Sequence, residues 1–264
     1  MRLTAGLACV VSALSLFVLP AGPSRAETIR VGVTSGPHAQ IVEALVPVAK
    51  AKGLDVKVIE FSDGTMIDAA TDEGELDANA FQHTPYLDQQ NHDRGLDIVS
   101  VARTVLLPIA GYSRKYKSVT DLPKGAKIAI PNDPTNAGRS LKLLEAGGLL
   151  KLTPGVGFNA TVLDIVENPK AVKVIELEAT QVPRSLEDVD FAVINTNFAI
   201  QVGLDPIKDS LLRESEQSEY FCLIGVARKN AGKPWVKTLV DSYRSPEVKT
   251  FVASTFKGSI LPGW

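Results

Sequence analysis

Cysteine is nearly absent: Cys9 and Cys222 are the only two in 264 residues. A chain that loses its first segment keeps a single thiol, so no internal disulfide can form and stability must come from packing. Charge of one sign is also missing, with 28 basic against 30 acidic residues and a net charge of −2. No basic field is available, which argues against a nucleic-acid partner. Histidine is sparse as well. His38, His83 and His92 have no cysteine partners and no i, i+4 spacing, so a helical metal site is not indicated. Neither a Gly-rich phosphate loop nor a G-x-S-x-G elbow occurs. The four aspartates Asp63, Asp68, Asp72 and Asp77 read as a solvated face. These absences point to a non-enzyme with no cofactor and no metal.

Only one long apolar run is present, and it sits at the amino end. Arg2 supplies the positive start, Leu3 to Leu19 is apolar or small apart from Thr4, and Ser24 and Ala26 occupy the small positions of a cleavage site. The run is short for a spanning helix, which needs about 20 apolar residues. Residues 1–26 are therefore expected to be a signal peptide cut after Ala26. A lipid anchor at Cys9 is the secondary reading, because eight preceding residues are few for a complete signal. The mature chain is expected to be exported.

Beyond Ala26, short β-branched runs alternate with helical stretches, the grammar of an α/β protein. Strands are expected at 28–33, 56–61, 76–81, 98–102, 106–112, 126–130, 172–177, 190–195 and 220–227. Helices are expected after Pro37, at about 65–73, 86–94, 137–146 and 183–189, from Thr196, and over 235–256. The polar stretch Ser113 to Gly125 is the candidate crossover between two lobes, and the 220–227 strand is placed to return the chain. The expected division is 27–111 plus 224–264 for one lobe and 112–223 for the other.

In open α/β sheets, ligands bind beyond the carboxyl ends of the strands. Pro131 to Ser140 joins a strand to a helix there, where free N–H groups and the positive dipole end meet. Arg139 in the first turn can grip a carboxylate through two parallel hydrogen bonds, or can simply face solvent. Asn136 and its neighbours are equally turn formers and caps. Phe81 and His83, two residues apart after a strand, can line a ligand wall; a core ring and a helix cap are the plainer roles. Asn195, ending a strand, offers both a donor and an acceptor. Cys222, within an apolar strand, reads as inert or pocket-lining.

Asp77-Ala78-Asn79-Ala80-Phe81-Gln82-His83-Thr84-Pro85-Tyr86-Leu87 resembles the D-A-N-x-F-Q-H-x-P-Y-L signature of the MetQ/NlpA methionine-binding family. Pro131 to Asn136, Ile175 to Ala179 with Pro183-Arg184-Ser185, Ala192 to Asn195 and Gly263-Trp264 extend the resemblance over the chain. It implies a two-lobed periplasmic-binding-protein fold of type II with the ligand cleft between lobes. It also implies an importer role: capture of methionine, L and in some members D, for ABC permease and ATPase components at the inner membrane, by a monomer. Arg139 would hold the ligand carboxylate, Asn195 its backbone polar groups, and Phe81 and His83 the thioether. Two positions depart from the pattern. Gly64 stands where a tyrosine is common, and Cys222 where an asparagine usually touches the ligand. They favour, as the alternative, another ligand such as a methionine-containing dipeptide or another hydrophobic amino acid; an enzyme on this architecture is the reading from a different class. On this reading Arg139→Ala abolishes tight binding and leaves the fold intact, which calorimetry and circular dichroism check together.

Overall fold

The computed structural model describes residues 27–264, so the expectations placed on residues 1–26 lie outside the described part. Strands β1 (Glu27–Thr34), β2 (Leu54–Phe61), β3 (Ala78–Asn79) and β4 (Ile98–Leu106) begin a first sheet. Strand β5 (Ala110–Tyr112) already belongs to a second, with β6 (Lys127–Pro131), β9 (Lys173–Leu177), β10 (Phe191–Ile194) and β11 (Leu212–Arg213). A separate hairpin, β7 (Lys151–Leu152) with β8 (Ile165–Glu167), flanks it. The chain then returns through β12 (Phe221–Ala227) and β13 (Leu261–Pro262) to the first sheet.

The two sheets are built alike. The first runs β2-β1-β3-β12-β4-β13 and the second β9-β6-β10-β5-β11. In each, three parallel strands are followed by one antiparallel strand from another part of the chain, β12 in the first and β5 in the second. Helices α1 (Pro37–Ala51), α2 (Ile67–Glu73), α3 (Thr84–Arg94), α6 (Pro234–Tyr243) and α7 (Pro246–Phe256) accompany the first sheet; α4 (Pro134–Ala146) and α5 (Thr196–Gln201) the second. Ile41 and Leu45 of α1, Trp235 and Leu239 of α6 and Val252 of α7 pack with Val31 and Val33 of β1 in one apolar core. A second core, around Ile128, Ile130, Leu141 and Phe191, lies against one face of the other sheet.

Several elements differ from expectation for local reasons. The chain passes between sheets at Leu107-Pro108-Ile109, because Ala110 to Tyr112 pairs antiparallel with β10; the 106–112 strand is thus two strands, and Ser113 to Gly125 lies wholly beyond the passage. Ala110 and Gly111 accordingly sit in the second sheet, and Phe221 to Leu223 in the first, a few residues from where the sequence divided them. Helix α4 starts earlier than 137, at Pro134, since the Asp133 side chain accepts from the Asn136 N–H and caps it. The 235–256 stretch is two helices, broken where Ser245 caps α7 ahead of Pro246. Gly36, with φ of 84°, supplies a left-handed backbone that lets β1 turn directly into α1.

Helix α4 is pressed onto the 158–160 segment. A Cβ on Gly138 would lie 2.1 Å from the Phe158 carbonyl oxygen and 2.8 Å from the Ala160 nitrogen. Both are main-chain atoms with little freedom to retreat. Gly138→Ala is expected to destabilise the protein by about 1–3 kcal/mol, the range for overpacking a tight contact, read as a lower urea midpoint at unchanged slope.

Candidate functional site

Between the two sheets, at the carboxyl ends of β1, β6 and β10, lies a cavity of about 270 Å³. Arg139, Asn136 and Asn195 line it from the second lobe; Phe81, His83, Cys222 and Gly64 line it from the first. All seven residues picked out from the sequence thus border one space.

Arg139 is buried, its side chain only 4% exposed. Its Nε donates to Glu214 Oε1 at 2.9 Å and its Nη2 to Glu214 Oε2, and Nη2 also donates to the Leu107 carbonyl at 2.9 Å. The Tyr220 ring lies under the guanidinium, 4.4 Å from centroid to Cζ. Leu107 and Glu214 belong to the two segments that cross between lobes, and those segments bond to each other: Glu214 N–H donates to Ile109 O at 3.0 Å, and Ile109 N–H to Glu214 Oε2 at 3.2 Å. The arginine is therefore fastened to both crossings. Alanine at 139 would leave the Glu214 carboxylate unpaired, a loss of about 3–5 kcal/mol for a broken buried pair. An intact fold in Arg139→Ala, expected from the sequence, is not what this geometry supports.

His83 connects the lobes. Its Nδ1 accepts from the Tyr86 N–H at 3.2 Å and caps α3, which leaves the proton on Nε2; that N–H faces Asn136 Oδ1 at 3.3 Å. The same Oδ1 accepts from Asn195 Nδ2 at 2.9 Å, while Asn136 Nδ2 donates to both oxygens of Asp133, at 3.1 and 3.0 Å. Burial, with Arg139 nearby, holds His83 down at about 3, and burial alone holds His38 at about 4, so both imidazoles are neutral at physiological pH. Three further hydrogen bonds span the lobes, from Gln201 Nε2 to Ser35 O at 2.9 Å, from Asn159 Nδ2 to Gln89 Oε1 at 2.6 Å and from Arg213 Nη2 to Gly258 O at 2.8 Å. Cys222 is buried, its thiol pushed up to about 12, and its Sγ lies 4.0 Å from the Phe81 carbonyl oxygen. It forms wall, not nucleophile.

Among the described residues, three buried oxygens of cavity-lining side chains have no partner: Thr34 Oγ1, Gln82 Oε1 and Asn195 Oδ1. Buried acceptors left bare cost free energy, and a ligand that donates to them recovers it. No group of three or more His, Cys, Asp or Glu side chains suited to a metal occurs among the described residues.

Sequence reasoning missed Glu214, 75 positions from its partner in a loop with no periodicity or motif, so nothing local marks it. It also misjudged Asp68. That residue is fully buried beneath the cavity wall, where its Oδ1 accepts from Asn79 Nδ2 at 3.1 Å and Gln82 Nε2 at 2.5 Å. It lies on no solvated face; its place in α2 turns it toward β3.

The family model for the NlpA lipoprotein matches residues 29–264. The D-methionine-binding lipoprotein MetQ of Escherichia coli K12 is 49% identical, over 89% of this chain and 88% of its own length. A nutrient-binding protein from Burkholderia cenocepacia, solved bound to methionine, is 52% identical with a TM-score of 0.88, covering 89% of this chain and all of that one. An ABC transporter periplasmic substrate-binding protein from Coxiella burnetii is 43% identical at a TM-score of 0.87, with 89% and full coverage. These relatives have the two-lobed α/β fold of periplasmic substrate-binding proteins, as does this chain. Ranking a lipid anchor below simple secretion finds no support in relatives named lipoproteins.

Burial raises the Asp68 carboxyl from 3.8 to about 7, so the folded protein keeps a proton that the unfolded chain releases. Between those values folding takes up a proton, and the Asp68 contribution to stability falls as pH rises, levelling off above about 7. Asp68→Asn should remove that slope: its stability relative to the wild type is expected to climb steadily from pH 4 to pH 7 in urea titrations.

Proposed function

The chain belongs to the NlpA lipoprotein family, and from that premise we propose that it is an exported solute-binding protein that captures methionine and delivers it to an ABC importer in the inner membrane. One observation carries the reading. A buried arginine and an unpartnered asparagine oxygen on the second lobe meet an aromatic wall on the first across a single cavity. A zwitterion with an apolar tail has matching parts.

The ligand carboxylate lies against Arg139 Nη1, since Nε and Nη2 are already committed. Its ammonium donates to Asn195 Oδ1, the acceptor left bare in the cleft. The thioether runs toward Phe81, whose ring favours contact with sulfur, between His83 and Cys222. Because ligand groups from one small molecule engage both lobes, binding favours the state in which the lobes meet, and His83 to Asn136 closes with it. The permease and its ATPase then receive a monomeric, loaded protein from the periplasmic side.

A second reading rests on Gly64. A Cβ there would lie 2.4 Å from Phe81 Cε2, so the Phe81 ring fills the space that a side chain at 64 would take. The tail end of the pocket is therefore shaped differently from one walled by a tyrosine, which supports another hydrophobic amino acid as ligand.

Native mass spectrometry of the purified protein is expected to show a co-purified mass equal to methionine; a different amino acid would establish the second reading, and a metal or a turnover product would overturn both. Calorimetry on Arg139→Lys, which keeps the charge but not the planar fork, is expected to show affinity lowered by about tenfold to a hundredfold, the scale of one to two charge-assisted hydrogen bonds. Unchanged affinity would remove Arg139 from the site.

A further inference from the structure

The cavity is poor in positive charge. Among the described residues Arg139 is the only arginine or lysine that lines it, whereas Asp63, Asp133 and Glu178 all do, and its two histidines, His38 and His83, are neutral. Glu214 behind the wall already compensates Arg139 through two hydrogen bonds from the same guanidinium, so the pair as a whole offers no net charge to an incoming acid. A ligand carrying only a carboxylate would add one more negative charge to this surround without neutralising any. A zwitterion brings its own compensation, and Asn195 Oδ1 stands ready to accept from its ammonium.

Resting on the solute-binding role above, we propose that Glu214 is a specificity-determining residue: by holding and neutralising Arg139 it makes the ligand's ammonium group obligatory. The cleft thereby rejects acids that carry the same side chain without an amino group. Glu214 does this without lining the cavity. It positions the arginine, with the Ile109 N–H and the Leu107 carbonyl completing the frame, and leaves Nη1 as the edge that meets the ligand. Such rejection is discrimination by an uncompensated charge placed against the wrong ligand, not by added attraction to the right one.

The test compares methionine with desaminomethionine, the same skeleton lacking the amino group, by calorimetry on ligand-stripped protein. Wild type is expected to bind methionine at least about a hundredfold more tightly. In Glu214→Gln, which keeps the shape and removes the charge, methionine is expected to weaken while desaminomethionine strengthens by about tenfold or more. Equal weakening of both ligands would reduce Glu214 to a structural prop and overturn the proposal. A second variant, Glu214→Asp, keeps the charged pair; it is expected to fold and retain the preference for methionine, with both ligands bound more weakly. Loss of preference in that variant overturns the proposal too, even if the glutamine variant does not fold. Wild type that binds both ligands equally would sink this inference and leave the binding role standing, whereas wild type that binds neither would sink the methionine reading and this inference with it.

Discussion

Arg139 and Glu214 form a buried ion pair at the point where the two crossings between lobes run side by side. The pair is laid on the Tyr220 ring and tied to the Leu107 carbonyl and the Ile109 N–H. Removing two such charges from water is costly, and attraction in a low-dielectric setting offsets that cost only when the geometry is good and the remaining polar atoms are bonded. Here they are bonded on every side but one. The remaining side is the cavity. The guanidinium proposed to meet the ligand is therefore rigid because the chain's own crossover segments hold it, and any shift of one lobe against the other acts on the same atoms.

Around that pair the cleft is assembled from short, capped starts of helices. Asp133 caps α4 and bonds Asn136; Asn136 receives Asn195 and His83; His83 caps α3. Asp133 and His83 each satisfy a helix end, and Asn136 joins those two caps to each other across the cleft and bonds to Asn195. For His83, capping a helix and lining the cavity are thus not alternatives. A cap fixes the side chain in one rotamer, and a fixed side chain is what a binding site requires.

A second buried carboxyl shapes the wall from behind. Asp68, Thr71, Asn79 and Gln82 form a hydrogen-bonded cluster beneath Phe81 and His83, so the segment that carries those rings is anchored to α2 and β3. The raised Asp68 carboxyl follows from that enclosure, since desolvation disfavours its charged form more than the amide donors favour it.

Much of this protein was legible in its residues. Alternation of β-branched runs with helical stretches specifies an α/β fold, because strand and helix periods cannot be exchanged without exposing apolar faces. The 77–87 signature and the strand-to-helix turns at 131–140 and 195–196 located the cleft, because such turns bring free N–H groups and polar side chains to a sheet rim. What remained hidden involves partners distant in sequence. Glu214 lies in an irregular loop, Asp68 looks like one of four solvated aspartates, and the passage between sheets falls at Leu107 to Ile109 with no glycine or polar run to mark it. Local propensity carries no information about which carboxylate a buried guanidinium will meet. That is decided only when two strands far apart in the chain add to each other's sheets and bring their connecting segments into contact.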